Sequence, residues 1–265
     1  MSPNSRILIN MIGLLILGYS TCTAEARAVK VGVLSYANAE PYRALLESAF
    51  SQASRTGSTH YEVQFRSSSL DQREVETMAT ELARTPVDVI VAYPTPAAVA
   101  ARLATKSIPI VMMGVADPVG TGLVASLSRP GGNVTGTSAT TDESSAKTLE
   151  LARDILGELG SVSVLANRDD PFTPTFIRQL EAAARVLGAK LSVITIGEPM
   201  ELAGAFESMH NLGEKTVVVQ PTLPRDATVQ LALKYKMGAF SPTASFVRSG
   251  GLASYSAKPE DIVRR

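Results

Sequence analysis

The chain of 265 residues carries 25 Lys+Arg against 25 Asp+Glu and is 45% hydrophobic, which is typical of a globular rather than a disordered protein. The balanced charge argues against a nucleic-acid-binding protein, because such proteins normally carry a basic excess or patch. One cysteine and two histidines exclude a disulfide framework and leave little room for a metal centre. We therefore predict no metal site, and we place His60 and His210 at the surface.

The first 26 residues have the pattern of a secretory signal peptide. Arg6 is the only charge in the first 24 residues, residues 7–18 are largely apolar, and Ala24-Glu25-Ala26 offers a cleavage pattern. The apolar run is shorter than the roughly 20 residues that span a bilayer. We predict cleavage after this tripeptide and a periplasmic product, with an uncleaved membrane anchor as the alternative. The residues before Cys22 fit a lipobox poorly, so no lipid anchor is expected there.

The rest of the chain alternates short apolar strands with amphipathic helices. Such alternation predicts an α/β fold whose parallel sheets are covered by helices on both faces, in a doubly wound arrangement. In chain order the predicted elements are strand 29–34, helix 41–55, strand 61–65, helix 71–84, strand 87–92, helix 95–104, strand 108–113, helix 119–127, strand 133–138, helix 144–159, strand 162–166, helix 175–187, strand 191–196, helix 200–211, strand 216–220, helix 228–236 and strand 238–240.

We divide this alternation into two lobes of similar size at a polar, turn-rich join near Gly136–Ser138. The N-terminal α/β lobe is predicted to span 27–137 and the C-terminal α/β lobe 138–252. Ligands of open α/β sheets bind beyond the carboxyl ends of the strands. A ligand site is therefore expected in a cleft between the lobes, on the loops that follow their strands.

Three loops of the first lobe carry candidate ligand-binding residues. The loop after the first strand offers Ser35 and Tyr36, and Tyr93 follows the third strand. Thr95 is predicted to cap a helix whose free N–H groups can hold a carboxylate, or to act as a cap alone. Asp117, after the fourth strand, could bind a ligand amine or cap the predicted helix 119–127.

Two loops of the second lobe, 167–172 and 220–224, complete the predicted cleft. Phe172 could form an apolar wall with the tyrosines of the first lobe. The adjacent acids Asp169-Asp170 could bind a cation, but we interpret them as a solvated charge pair. The chain has no P-loop, no G-x-S-x-G motif and no complete dinucleotide fingerprint, so we predict a binding protein without catalytic residues or cofactor.

Several separated blocks of the sequence together resemble one family. They are 87–92 (VDVIVA), 95–98 (TPAA), 108–111 (IPIV), 117–127 (DPVGTGLVASL), 129–136 (RPGGNVTG), 181–189 and 250–255 (GGLASY). These blocks are similar to those of the substrate-binding proteins of ABC importers in the TrpX-like family. The resemblance covers nearly the whole predicted mature chain. It implies two lobes joined by a hinge in the type I periplasmic-binding-protein fold.

The same resemblance implies the site and the partners. Thr95, Val115, Ala116 and Asp117 would contact the ligand from the first lobe, and Asn167 with the loop Gln220–Thr222, which includes Pro221, from the second. The ligand would be an amino acid or related small carboxylate, and the partner of the monomeric protein an ABC permease in the inner membrane. Pro221-Thr222 stands where amino-acid binders of the family commonly carry Asp-Asn.

The end of the chain departs from the family pattern. Residues 253–265 are expected to form a crossover that returns toward the first lobe, and the chain stops inside a predicted helix that begins near Pro259. Relatives continue through that helix and a further strand, so the C-terminal segment is interpreted as shortened. The alternatives that remain are a sensing lobe pair that feeds a signalling partner, a truncated non-functional remnant, and an enzyme on the same fold.

Overall fold

The computed structural model describes residues 28–37, 42–57, 59–138 and 143–256. The first lobe holds a parallel five-stranded sheet of order β2-β1-β3-β4-β5. Its elements are β1 (Val29–Ser35), α1 (Tyr42–Thr56), β2 (Tyr61–Ser67), α2 (Gln72–Arg84), β3 (Val89–Tyr93), α3 (Thr95–Ala104), β4 (Ile110–Val115) and β5 (Val134–Ser138).

The second lobe repeats this plan with a parallel sheet of order β10-β9-β8-β6-β7. Its elements are α4 (Glu143–Leu156), β6 (Ser161–Asn167), α5 (Thr173–Leu187), β7 (Lys190–Ile196), a 3₁₀ turn (Pro199–Glu201), α6 (Leu202–Asn211), β8 (Thr216–Val219), α7 (Arg225–Lys234), β9 (Gly238–Ser241), α8 (Ala244–Arg248) and β10 (Ala253–Ser254).

Each sheet is covered on both faces, as the continuous apolar strands predict. In the first lobe, Leu46 of α1 packs on one face of the sheet, and α2 and α3 pack on the other. In the second lobe, α4 and α5 share one cluster with Phe240, whereas α6 and α7 share the other with Leu165. The predicted α/β class with two parallel-sheet lobes is confirmed.

Local signals in the sequence account for several helix boundaries. The Asp71 carboxylate caps α2, where it accepts hydrogen bonds from the backbone N–H groups of Arg73 and Glu74. Gly188 ends α5 in the left-handed conformation, with φ of 70°. Helix α3 has the bounds that the sequence predicts.

The predicted helix 119–127 is wrong, because this segment forms successive turns. The Gly122 N–H donates to the Val119 carbonyl, and the Val124 N–H reaches back to the Pro118 carbonyl, which is not the spacing of an α-helix. Gly122 also adopts φ of 72°, which an α-helix does not accommodate. Alternating glycine in this loop overrides the apolar pattern that favours a helix.

Two elements near the end of the described chain were not predicted. Helix α8 is a five-residue element, and β10 pairs with β9 through Ala253↔Phe240 and Ser254↔Ser241. The chain therefore still belongs to the second sheet just beyond the predicted boundary at residue 252. The remainder of the expected crossover segment, from 257 onward, and the predicted signal peptide lie outside the described residues. Within the described ranges, no helix is long and apolar enough to cross a membrane.

Candidate functional site

A cavity of about 730 Å³ lies between the lobes, at the carboxyl ends of strands from both sheets. This is the position that parallel α/β sheets use for ligands, and the volume is within the usual range for small-molecule sites. Most of the predicted ligand-binding residues line it, and these are Tyr36, Tyr93, Thr95, Ala116, Phe172, Pro221 and Thr222.

Four predicted residues do not line the cavity. Val115 is fully buried in the first-lobe core, because it is the last residue of β4 and its side chain faces the helices. Ser35 is also buried, and its Oγ donates to the Ala37 carbonyl at 2.6 Å, which holds the turn after β1. Asn167 and Asp117 instead make hydrogen bonds between the lobes.

The first of these bonds joins Asn167 at the end of β6 to Tyr36 at the end of β1. Asn167 Nδ2 donates to the Tyr36 hydroxyl at 3.0 Å, and this hydroxyl donates to the Leu70 carbonyl at 3.0 Å. Burial raises the pKa of Tyr36 to about 12, so the hydroxyl keeps its proton at neutral pH. The pair therefore remains a neutral hydrogen bond.

The second bond joins Asp117 to Thr175 in the first turn of α5. The Thr175 hydroxyl donates to Asp117 Oδ2 at 2.9 Å, while Asp117 Oδ1 accepts from the Gly120 N–H at 2.8 Å. Asp117 thus fixes its own loop and contacts the other lobe, although it caps no helix 119–127 because that helix does not form.

Thr95 does not cap α3 as predicted. Pro94 occupies the N-cap position, with no side-chain cap, and Thr95 is the first residue of the helix. The Thr95 hydroxyl accepts a hydrogen bond from the Ala116 N–H at 3.0 Å, which ties the start of α3 to the loop after β4. No side chain caps the start of α3, and because Pro96 has no N–H, only Thr95 and Ala97 carry backbone donors among its first three residues. Thr95 lines the cavity.

Asp170 is the principal site residue that the sequence interpretation missed. Asp169 is exposed, as predicted for a solvated pair, but Asp170 is only 4% exposed and lines the cavity. Its Oδ1 accepts from the Phe172 N–H at 2.9 Å, and its Oδ2 accepts from Gln220 Nε2 at 2.8 Å and Thr222 Oγ1 at 2.7 Å.

No lysine, arginine or histidine of the described ranges forms an ion pair with Asp170. Burial raises the pKa of this carboxyl, while its hydrogen bonds from Phe172, Thr222 and Gln220 oppose the rise. The cavity wall therefore contains a buried carboxylate that accepts hydrogen bonds from neutral donors but has no cation paired with it in the described ranges.

Gln220, which the family resemblance included only as the start of the contact loop Gln220–Thr222, orients this network. It is 1% exposed, and its Oε1 accepts from the Asn167 N–H at 2.8 Å and from Thr173 Oγ1 at 2.8 Å. With both lone-pair directions of the oxygen used, its amide nitrogen must face Asp170. The signal in the sequence was a glutamine directly after three consecutive valines of β8.

Aromatic and cationic groups complete the cavity wall. The rings of Tyr42 and Tyr93 lie 4.3 Å apart, and removal from solvent, with Tyr42 beside it, raises the pKa of Tyr93 well above its usual value. Arg43 lies over the Phe65 ring at 4.7 Å, and Arg225 faces the site from the start of α7. Tyr42 and both arginines were not predicted, because they lie within helices rather than in loops after strands.

His60 and His210 are exposed, as predicted. Across the part of the chain that the structure describes, no three histidine, cysteine, aspartate or glutamate residues are grouped so that they could hold a metal ion.

Most of the chain matches one known protein family. Residues 46–263 match the family model described as ABC transporter substrate binding protein. The chain belongs to this family. The membership that the sequence blocks predicted is thus confirmed.

One curated relative is a tyrosine-binding protein from Clostridioides difficile, which is 33% identical over 160 residues. The alignment covers 60% of this chain and 45% of the relative, so the chain matches less than half of the relative's length.

Solved structures agree on the fold. An ABC domain in complex with L-Trp from Streptococcus pneumoniae is 25% identical and superposes with a TM-score of 0.78 over 89% of this chain and 81% of that one. A protein from Vibrio cholerae, at 24% identity and the same coverage, gives 0.80. A leucine-binding protein from Thermotoga maritima, at 13% identity, gives 0.61 over 84% of this chain and 67% of that one. The predicted two-lobed binding-protein fold is confirmed.

Proposed function

We propose that this chain is the extracytoplasmic solute-binding component of an ABC importer and that its lobes close on an amino acid. Family membership supports the transport role, and the cavity between two lobes is suited to closure around a small solute. The mechanism is reversible binding: contacts from both lobes to one ligand favour the closed arrangement over the open one.

The observation that carries the amino-acid assignment is the buried Asp170 carboxylate. A buried charge is costly unless it is paired, and this one has hydrogen-bond donors but no cation of the described chain beside it. A ligand ammonium group in the cavity would supply the missing charge. Gln220 and Thr222 hold the carboxylate in a fixed orientation, which lowers the entropic cost of receiving the ammonium group.

The opposite wall suits the rest of an amino acid. The start of α3, where Thr95 lines the cavity, offers the positive end of a helix dipole to an α-carboxylate, although Pro96 contributes no N–H. Tyr42, Tyr93 and Phe172 offer apolar surface to a side chain. The described ligands of two relatives, tyrosine and L-Trp, are aromatic amino acids and agree with this arrangement.

The cellular setting follows from the same proposal. The predicted signal peptide would export the chain to the periplasm, where the closed form of the monomer would deliver its ligand to an inner-membrane permease. No catalytic step is needed for this role.

Calorimetric titration of residues 27–265 tests the proposal directly. We expect L-tyrosine or L-tryptophan to bind, and the matching acid without its amino group to bind far more weakly. Asp170→Asn should weaken amino-acid binding by roughly 30- to 5000-fold, because removing one member of a buried charge pair costs about 2–5 kcal/mol. Asp169→Asn makes the same change at the adjacent exposed residue and should bind like the wild type.

The result that would contradict the proposal is equal affinity for the amino acid and its amine-free analogue, with Asp170→Asn unchanged. Failure of a folded wild-type sample to bind any amino acid of a broad panel would contradict it as well. Circular dichroism of each variant establishes that the titrated protein is folded.

A further inference from the structure

The two lobes are joined by hydrogen bonds between protein atoms that lie beside the cavity. Tyr36 and Asn167, which make the first bond, are only 2% and 3% exposed. Water is therefore excluded from this bond, and an opened cleft would have to rehydrate both groups.

The second bond involves a charged group, the Asp117 carboxylate. The Asp117 carboxylate meets the first turn of α5, where the helix dipole favours a negative group. The Thr175 hydroxyl that donates to it accepts in turn from Arg178 Nη2 at 2.7 Å, so the carboxylate, hydroxyl and guanidinium form one chain. The bond from the Gly120 N–H holds Asp117 in the orientation that this contact needs.

A third contact is apolar. Ala116, in the loop of the first lobe, packs against a buried cluster of the second lobe that includes Phe172 and Phe176. Asp117, Asn167 and Thr175 do not line the cavity. Their interlobe bonds are therefore available whether or not a solute occupies the site.

We propose that the Tyr36–Asn167 and Asp117–Thr175 bonds form a latch that favours lobe closure in the ligand-free protein and thereby sets the affinity for every ligand. If ligand binds tightly only to the closed form, the apparent Kd equals the intrinsic Kd divided by the closed fraction. Asp117, Asn167 and Thr175 then act as positioning residues, because they change affinity through the closed fraction and touch no ligand atom.

Two substitutions open the latch with little change in shape. Thr175→Val keeps the side-chain volume and removes the hydroxyl from the chain of bonds. Asp117→Asn keeps an oxygen for the Gly120 N–H, suits the left-handed backbone at φ of 43°, and removes the charge that faces α5. The matched control is Thr77→Val on the exposed face of α2, where the hydroxyl bonds only within its own helix.

The closed fraction is measured without any solute by spin-label distances between the lobes. The sole cysteine is Cys22, so labels at Thr80→Cys on α2 and Val186→Cys on α5 are unique in residues 27–265. We expect a short interlobe distance in the wild type and the control. The closed-to-open ratio should fall by about tenfold or more in Thr175→Val, which loses a hydrogen bond to a charged group. Asp117→Asn should lower it less, because its amide can still bond to the Thr175 hydroxyl while the charge is lost.

The affinity measurement then tests the link to binding. The fold increase in Kd should equal the fold decrease in closed fraction, and it should be the same for every amino acid that binds. An open wild type without ligand, or latch variants with the wild-type distance, would overturn the latch. A Kd change that differs between ligands would show that Thr175 or Asp117 contacts the ligand and would also overturn it. The distance measurement needs no ligand, so it stands even if the amino-acid proposal fails.

Discussion

Replacing Gln220 by leucine probes the polar network under the cavity. Leucine fills a similar volume but removes the acceptor of the Asn167 N–H and the donor to Asp170 Oδ2. The Asn167 N–H is then buried without its partner, at a cost of about 1–3 kcal/mol. Thr173 Oγ1 retains the Asn167 carbonyl as a second acceptor and contributes little to the loss.

The lost hydrogen bond to the Asp170 carboxylate adds about 1.5–3 kcal/mol, so the total loss of unfolding free energy is about 2.5–6 kcal/mol. For a protein of this size the midpoint of thermal unfolding should fall by roughly 5–24 °C. Urea and thermal unfolding followed by circular dichroism provide both quantities.

The matched control is Gln230→Leu, on the exposed face of α7, which should change the unfolding free energy by less than about 0.5 kcal/mol. If Gln220→Leu lies within about 1 kcal/mol of the wild type, the hydrogen bonds of Gln220 contribute little to the stability of the site. In that case the orientation of Asp170 must depend on other contacts.

Two further predictions address the fold and the site. Gly136→Ala should destabilise the first lobe by about 3 kcal/mol or more, because φ is +135° and a Cβ would lie 2.0 Å from the Met112 carbonyl oxygen. The control is Gly160→Ala, where the added Cβ would meet open space. Equal unfolding midpoints for the two variants would contradict this prediction. Affinity for an amino acid should begin to fall on acidification at a pH above the ordinary aspartate pKa of 3.8, because burial raises the pKa of Asp170. Protonation of Asp170 removes the charge that attracts the ammonium group. Calorimetry across pH checks this, and a Kd that stays constant down to a pH near 3.8 would contradict it.

Local patterns in the sequence were sufficient to predict the two α/β lobes. Continuous apolar strands and strong cap signals, such as Asp71 before α2 and Gly188 after α5, act over a few residues and can be read directly. The helix predicted at 119–127 is wrong because the apolar residues there have a helical spacing, whereas the glycines and the hydrogen bond from the Val124 N–H to the Pro118 carbonyl impose turns. Helix α8 and strand β10 are too short to show a period.

The sequence predicts where the cavity-lining loops lie better than it predicts which of their side chains face the cavity. Strand ends correctly indicated the loops that line the cavity, because the fold brings the carboxyl ends of parallel strands together. Which side chain points inward depends on tertiary packing: Asp169 and Asp170 are adjacent and alike in sequence, yet only Asp170 is buried. Likewise, Asn167 and Asp117 lie at predicted positions, but their partners are in the opposite lobe, at separations that no local pattern reveals.

The central claim is that Asp170 receives the ammonium group of a bound amino acid. A crystal structure of residues 27–265 with the tightest-binding amino acid of the panel tests this most directly. We expect the ligand nitrogen within hydrogen-bonding distance of the Asp170 carboxylate, with the α-carboxylate at the start of α3. A ligand whose nitrogen points away from Asp170, or which binds outside the cavity between the lobes, would contradict it.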